Sequence, residues 1–403
     1  MKDTCIAITG VTGMIGRNIF YEYIRQNLSN LGKLQVFLLG RKSIKYSFRE
    51  RVMRNLLVDG ADYCGIEHGA KPLEDFVRDN VHFIDMDLYC DSIGISPSAI
   101  ELLKASRIDY FFHSAASTDL RDSDLVQGDV NRVNNEGTEK LLQIVEEMKI
   151  REFCYISTAY ACGITSGNIS PDDTNFQREF RNPYELTKLK SEKMVRDFSS
   201  RTGRRIRIFR LSSVCGRLIE PSFGALSKFD TFYSWGAFFL SLKMKKIKEM
   251  DRLFEIPFNI DIRVFSNPRA GLNIVPVDYV AKAVYQICTQ DCAGNAFNLT
   301  SPAETSHHFY LDEMLRHLNI TGVVHVASEP IQKNPLENLY YRTIGRIFNP
   351  YVAGLPMVFD TSNYDYIMER AGISCPPIDK FHFDYLMSYA KKKFFGILTS
   401  AAL

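Results

Sequence analysis

Thr4-Cys5-Ile6-Ala7-Ile8-Thr9-Gly10-Val11-Thr12-Gly13-Met14-Ile15-Gly16-Arg17 is the stretch that sets the fold. The β-branched and apolar run from Thr4 to Thr9 predicts a buried strand, the glycines predict a tight turn, and Arg17 to about Asn30 predicts a helix. Gly10 permits the turn, Gly13 lets the backbone approach a pyrophosphate, and Gly16 lets the helix pack closely on the strand with its N–H groups facing phosphates. Strand, turn and helix in that order predict a Rossmann-type doubly wound parallel sheet, with a dinucleotide contacted by the turn, Thr12, Met14 and Ile15 included. The glycine spacing, three and three, departs from the two-then-three spacing of the commonest dinucleotide fingerprint.

Working outward, Leu34 to Leu39 predicts a second strand that ends in Gly40-Arg41-Lys42. An acidic residue there would bind the ribose hydroxyls of NAD, whereas Arg41 suits a bidentate grip on the 2′-phosphate of NADP, so NADPH is the expected cofactor. Further strands are expected at 81–85, 108–113, 152–157 and 205–210, alternating with helices, and the polar stretch from Asp59 to Lys71 reads as an exposed excursion. Asn182-Pro183-Tyr184-Glu185-Leu186-Thr187-Lys188 predicts a helix opened by proline, with Tyr184 and Lys188 on one face. An ammonium beside the phenol would lower the tyrosine pKa, making a tunable proton donor, and could also reach the nicotinamide ribose. Thr158 ends the run Phe153-Cys154-Tyr155-Ile156-Ser157-Thr158 at a strand's carboxyl end, where open α/β sheets bind ligands.

The glycine triad, Thr158, Tyr184 and Lys188 together resemble the extended branch of the short-chain dehydrogenase/reductase superfamily in order and rough spacing. The resemblance continues through Asp87-Leu88, like the family's adenine-contacting pair, and His113-Ser114-Ala115-Ala116, like its cofactor-facing strand end. Asn134 with Gly137-Thr138, and Arg210-Leu211-Ser212-Ser213-Val214-Cys215-Gly216, like the segment flanking the nicotinamide, extend it. It implies that Thr158, Tyr184 and Lys188 are catalytic. It also implies cofactor contact by Asp87, Leu88, Ala115, Ala116, Asn134, Lys188, Ser212, Ser213 and Val214. Ile156-Ser157-Thr158-Ala159-Tyr160, the Asn182 to Lys188 motif and Ile93-Gly94-Ile95-Ser96 resemble fatty acyl-CoA reductases and the terminal thioester-reductase domains of carrier-protein assembly lines. That narrower likeness implies NADPH-dependent reduction of an acyl thioester, borne by CoA or a carrier protein, to aldehyde and on to alcohol if a second hydride follows. Ser157 is expected to be at most a supporting hydroxyl.

The 403 residues, 45% hydrophobic and 24% charged, are enough for a cofactor domain at 1–216, with a return at 274–300, and a substrate domain at 217–273 and 301–403. A net charge of +2 gives no general affinity for nucleic acid. Nine cysteines without a Cys-x-x-Cys motif, no hydrophobic leader and no run of roughly 18 apolar residues predict a cytoplasmic protein with reduced thiols and no transmembrane segment. The adjacent His307 and His308 lie in no metal-binding motif, so no metal site is expected. His113 is read as a packing or loop-anchoring residue, Arg17 as solvent-facing with contact to a phosphate as its alternative, and Asp278 as the cap of the helix after Asn273-Ile274-Val275-Pro276-Val277.

Phe229 to Asp251 joins Phe232, Tyr233, Trp235, Phe238, Phe239 and Leu240 to Lys243, Lys245, Lys246 and Lys248. It reads equally as a lid over an acyl chain with a basic rim for an acidic carrier, or as a core helix ending in lysines that offset its dipole. Contact with a membrane surface is a weaker third reading. The rival functions are an NAD-dependent sugar-nucleotide epimerase or dehydratase, a ketone or steroid-type dehydrogenase, and a non-catalytic dinucleotide sensor.

Overall fold

A computed structural model describes residues 3–67, 71–290 and 292–397. Seven strands form one parallel sheet: β1 Thr4–Thr9, β2 Leu34–Gly40, β3 Val81–Asp85, β4 Arg107–His113, β5 Lys149–Thr158, β6 Arg205–Leu211 and β7 Ala296–Leu299. Their spatial order is 3-2-1-4-5-6-7, so the chain reverses direction across the sheet between β1 and β4. A crevice opens at such a switch point, outside the carboxyl ends of the strands. Register brings those ends together: Thr9 pairs with His113, His113 with Tyr155, and Thr158 with Leu211.

Both faces of the sheet are covered, which is why its strands read as near-continuous apolar runs. Ile6 and Ile8 join a core with Phe20, Val280 and Val284 on one side, while Ala7 joins Phe111, Leu141 and Phe198 on the other. A third core gathers Trp235, Phe239, Tyr310, Tyr340 and Phe383 beyond the sheet.

The first helix spans Met14–Gln26, beginning three residues before the expected start because the extended Gly13 already serves as its N-cap. The stretch read as an exposed excursion is structured instead. Leu56–Gly60 is a π-helical turn and Ala61–Cys64 a helix, with Gly60, Ala61, Tyr63 and Cys64 buried. Polar letters misled because their partners come from elsewhere: the Tyr63 hydroxyl donates to Glu22 at 2.7 Å, and Asp59 pairs with Arg17 and Arg217. Residues 68–70 of that stretch lie outside the described residues.

Asp278 lies in the first turn of helix Val277–Thr289, not at the N-cap position, which is Pro276, and from there its carboxylate accepts the Tyr279 N–H at 3.0 Å. Its buried carboxylate accepts N–H groups from Leu218, Ile219 and Glu220, the last two at 2.6 and 2.7 Å, tying the loop that leaves the sheet to the helix that returns to it. No helix among the described residues is long and apolar enough to cross a membrane.

Candidate active site

The glycine turn is a cradle with no room for a side chain at Gly10 or Gly16. Gly13 N–H donates to the Gly10 carbonyl at 2.9 Å. Gly10 has φ +73°, and a Cβ there would sit 2.6 Å from the Ala115 nitrogen; a Cβ at Gly16 would sit 2.6 Å from the Gly10 oxygen. Both contacts are with backbone, so neither position accepts alanine without shifting the turn. Ser114 and Ala115 N–H groups both donate to the Thr9 hydroxyl at 3.1 Å. With both its lone pairs so occupied, Thr9 must donate its own proton to His113 Nδ1, 2.8 Å away, and His113 Nε2–H then donates to Thr138 at 3.0 Å. Burial, then the charge of Lys188, holds this imidazole down to about 3, as befits an anchoring residue.

Three guanidiniums edge the cradle. Arg17 donates to the Thr12 carbonyl at 2.7 Å and, only 13% exposed, pairs with Asp59, so it is not the solvent-facing residue expected from sequence. Arg51 donates to Thr12 Oγ1 at 3.3 Å and to the Arg41 carbonyl at 2.8 Å. Burial and then repulsion from Arg41 and Arg17 hold Arg51 below the usual arginine range, a tension that an anion would relieve. The sequence reading missed Arg51, although its signal was present. Ser47 and Glu50 form a capping box that starts helix Phe48–Asn55 and turns Arg51 back towards the cradle. Arg41 lies 3.7 Å from Asp87 and faces the Tyr89 ring. Leu88 packs where a side chain at Gly137 would fall, 2.9 Å from the Leu88 Cβ.

Beyond the cradle lies a cavity of about 650 Å³ lined by Met14, Ile15, Ala116, Thr158, Tyr184, Lys188, Ser212, Ser213 and Val214, all expected from sequence to be at the site. Asn134 is not in its wall. Its amide clamps the Ser117 backbone from both sides, at 2.8 and 3.0 Å, and donates to Thr187, so it shapes the loop beside the cavity. Thr158 donates to the Leu211 carbonyl at 3.2 Å. Tyr184 falls in the first turn of helix Pro183–Thr202, whose cap Asn182 accepts the Glu185 N–H.

The expected lowering of the Tyr184 pKa by Lys188 is not what the geometry produces. Lys188 Nζ donates to the Ile156 carbonyl at 2.6 Å and sits 4.1 Å over the Tyr155 ring. Burial brings this ammonium down to about 7 against the pull of Glu192. Tyr184 is pushed above the ordinary phenol range, first by burial and then by Asp230 and Glu185. The phenol is therefore held protonated. Ser157 supports the site from behind: its hydroxyl donates to Glu192 at 2.5 Å, and Glu192 is paired at 2.6 Å with Arg210, both fully buried.

The cavity has two unlike ends. Asp119, Arg121, Lys228 and Asp230 line the exposed one, paired as Arg121–Asp119 at 2.6 Å and Lys228–Asp230 at 2.8 Å, with Lys228 also donating to Thr118. Trp235, Leu272, Tyr310, Ile347 and Phe348 form the other. Helix Tyr233–Lys246 is a core helix: Trp235 stacks 4.6 Å from Phe348 and donates to Tyr340, and Lys243 is buried, donating to the Leu318 carbonyl at 2.6 Å. Of the four lysines expected to rim a lid, Lys243 is therefore interior, while Lys245, Lys246 and Lys248 are exposed. Away from the cavity, Glu313, His317 and Asp384 cluster closely enough to hold a cation, but Arg316 and Lys380 already pair with the two carboxylates. All nine cysteines are free thiols.

Fold and site define a Rossmann-type NAD(P)-binding protein of the extended short-chain dehydrogenase/reductase type. Residues 8–284 match the profile of the male sterility protein family, and the chain belongs to that family. The terminal R domain of the myxalamid PKS-NRPS pathway is similar over 98% of this chain and 92% of its own, at 19% identity and TM-score 0.69. A thiolation-reductase di-domain from an archaeal non-ribosomal peptide synthetase is similar over 98% of this chain and 77% of its own, at 18% identity and TM-score 0.66. The dTDP-D-glucose 4,6-dehydratase of Mus musculus is 28% identical over 160 residues, 40% of this chain. The match spans 42% of that enzyme's length.

Proposed function

We propose that this protein is an NADPH-dependent reductase of an acyl thioester, borne by CoA or a carrier protein, yielding aldehyde and, where the aldehyde stays for a second round, alcohol. One observation carries the reading: a single cavity joins Thr158, Tyr184 and Lys188 to an aromatic, apolar end suited to an acyl group. Residues 1–216, with the return at 274–300, are the cofactor domain in this reading, and 217–273 with 301–403 the substrate domain.

The glycine turn, closed to a Cβ at Gly10 and Gly16, fits a pyrophosphate. Arg41 and Arg51 would take the 2′-phosphate, Asp87 and Leu88 the adenine side, and Ala116 with Ser212, Ser213 and Val214 the nicotinamide. When bound, the cofactor supplies a hydride to the thioester carbonyl carbon. Tyr184, kept protonated by its surroundings, donates a proton to the carbonyl oxygen as negative charge gathers there. Thr158 exchanges its bond to Leu211 for one to the same oxygen. Lys188, which holds the Ile156 carbonyl, would reach the cofactor's ribose and the phenol. The C–S bond of the resulting hemithioacetal then breaks, its hydroxyl proton leaving on the thiol sulfur, and the aldehyde remains.

The dehydratase relative favours a second reading, sugar-nucleotide chemistry with NAD. The arginine pair at the ribose end and the aromatic wall speak for the thioester. Following NADPH oxidation with acyl-CoA and acyl-carrier thioesters, with nucleotide sugars as controls, tests the choice. Thioester-dependent oxidation is expected, and turnover of nucleotide sugars alone would overturn it.

A further inference from the structure

Away from the wall assigned to the nicotinamide, two buried residues of the cavity wall each carry a fully buried polar atom without a partner. His307 is 0% exposed and Tyr160 7%. Both belong to the cavity wall, and neither His307 Nε2 nor the Tyr160 hydroxyl has a hydrogen-bond partner among the described residues. Leu272, Trp235, Ile347 and Phe348, in the same wall, offer no free polar side-chain atom, the Trp235 N–H being spent on Tyr340.

The chemistry of the two groups is defined. His307 Nδ1 lies 2.8 Å from the Tyr310 hydroxyl. Burial, with His308 and His325 adding repulsion, holds the ring down to about 4, so it is neutral near pH 7. A neutral imidazole has one N–H and one bare nitrogen, and with Tyr310 on Nδ1 only Nε2 is left to serve an occupant. Tyr160 is rigid: its ring stands edge-on to Tyr351 and Phe359, and its N–H donates to Thr158 Oγ1. Phenylalanine at position 160 would fill similar space without burying an unmatched polar atom, which is costly, whereas the His307 ring also serves the Tyr310 hydroxyl. Ser212, Ser213 and Thr231 hydroxyls are unpartnered too, but the serines belong to the wall assigned above to the nicotinamide and Thr231 is only half-buried.

We propose that the acyl group carries a hydrogen-bonding oxygen along its chain, as a hydroxyl, oxo or amide group, and that His307 Nε2 and the Tyr160 hydroxyl recognise it. These two residues then select oxygenated acyl thioesters over plain alkyl ones. This inference rests on the thioester reading. It adds that the substrate is not an unmodified fatty acyl chain.

The test is calorimetric, on enzyme loaded with NADP⁺, where hydride transfer cannot consume the probe. The probes are octanoyl N-acetylcysteamine thioester and its hydroxyoctanoyl counterparts with the hydroxyl at successive positions from 3 to 7. At least one hydroxylated probe should bind about tenfold tighter than octanoyl, the scale of one well-made buried hydrogen bond. In His307→Phe that advantage should fall to about threefold or less, and Tyr160→Phe, which deletes a single oxygen and preserves packing, should reduce it as well. Wild-type enzyme that binds octanoyl as tightly as every hydroxylated probe overturns the inference, as does an advantage that survives both substitutions or absence of binding by any probe. A separate NADPH assay keeps the two readings distinct. A His307-dependent preference without reduction of any thioester would fell the reductase reading alone, and reduction without a preference would fell this one alone.

Discussion

Lys188 and Lys243 are both interior, and each donates to a main-chain carbonyl at 2.6 Å, yet they belong to regions with different tasks. Lys243 closes the C-terminal end of helix His307–Leu318, where a cation meets unpaired carbonyls and the negative end of the helix dipole. Lys188 meets one strand carbonyl, the face of Tyr155 and a cavity wall shared with Thr158 and Tyr184. Burial lowers both ammonium groups, to about 7 for Lys188 and about 8 for Lys243. A depressed lysine is thus no marker of catalysis. What separates the two is whether a cavity and a second proton-bearing group lie beside the ammonium.

The largest expected effect breaks the catalytic side of that comparison. Tyr184→Phe should cost about 10²–10⁴-fold in turnover while cofactor affinity stays near wild type, because the phenol acts on the substrate oxygen alone. Steady-state kinetics paired with a cofactor titration measure both, and undiminished turnover would remove Tyr184 from the mechanism.

The lysines themselves come next. Lys188→Met should lose most turnover, whereas Lys243→Met should spare kcat/KM and lower Tm, since it leaves the carbonyls of Leu318 and Asn319 without their donor. Their pH dependence has a definite sign. A lysine whose folded pKa lies below its unfolded value binds fewer protons when folded, so its contribution to stability increases as pH rises from the folded towards the unfolded pKa. Wild type should therefore gain on Lys243→Met in Tm between about pH 8 and 10. A gap that narrows over that window would contradict the assignment. If catalysis needs the Lys188 ammonium, kcat/KM should fall as pH rises past about 7.

Arg51→Ala sharpens the comparison for cations that act through an anion rather than a proton. It should raise the Michaelis constant for NADPH on the order of tenfold and leave that for NADH nearly unchanged, the scale of a charge-assisted phosphate contact. Equal shifts for both cofactors would show that Arg51 only supports the Thr12 turn.

The smallest effect belongs to the exposed end of the Lys243 helix. Reversing Lys245 and Lys246 to glutamate should leave Tm and both Michaelis constants essentially unchanged, because solvent-exposed charges off the cavity wall contribute little. A salt-sensitive rise confined to the thioester's Michaelis constant would restore this helix as a docking surface for an acidic carrier.

Strand positions, the glycine turn and the capped helix carrying Tyr184 and Lys188 were legible in the chain, because period, glycine geometry and caps are local properties that a short stretch imposes by itself. The same locality made Thr158 readable as the end of a strand. What only the tertiary structure decided were matters of partnership. Arg17 finds Asp59, Asp278 receives three N–H groups from residues about sixty positions earlier, and Lys243 meets a carbonyl 75 residues away. The capping box that starts the Arg51 helix is legible in the chain, but the contact of Arg51 with the Arg41 carbonyl is made only on folding. The direction of the Tyr184 shift reversed for the same reason. Spacing puts a lysine on the tyrosine's face of the helix, but the ammonium goes to a carbonyl and a ring that the sheet presents, and burial, with Asp230 and Glu185 adding to it, pushes the phenol up. A side chain's charge state depends on everything within a few ångströms of it, and most of those neighbours are distant in sequence.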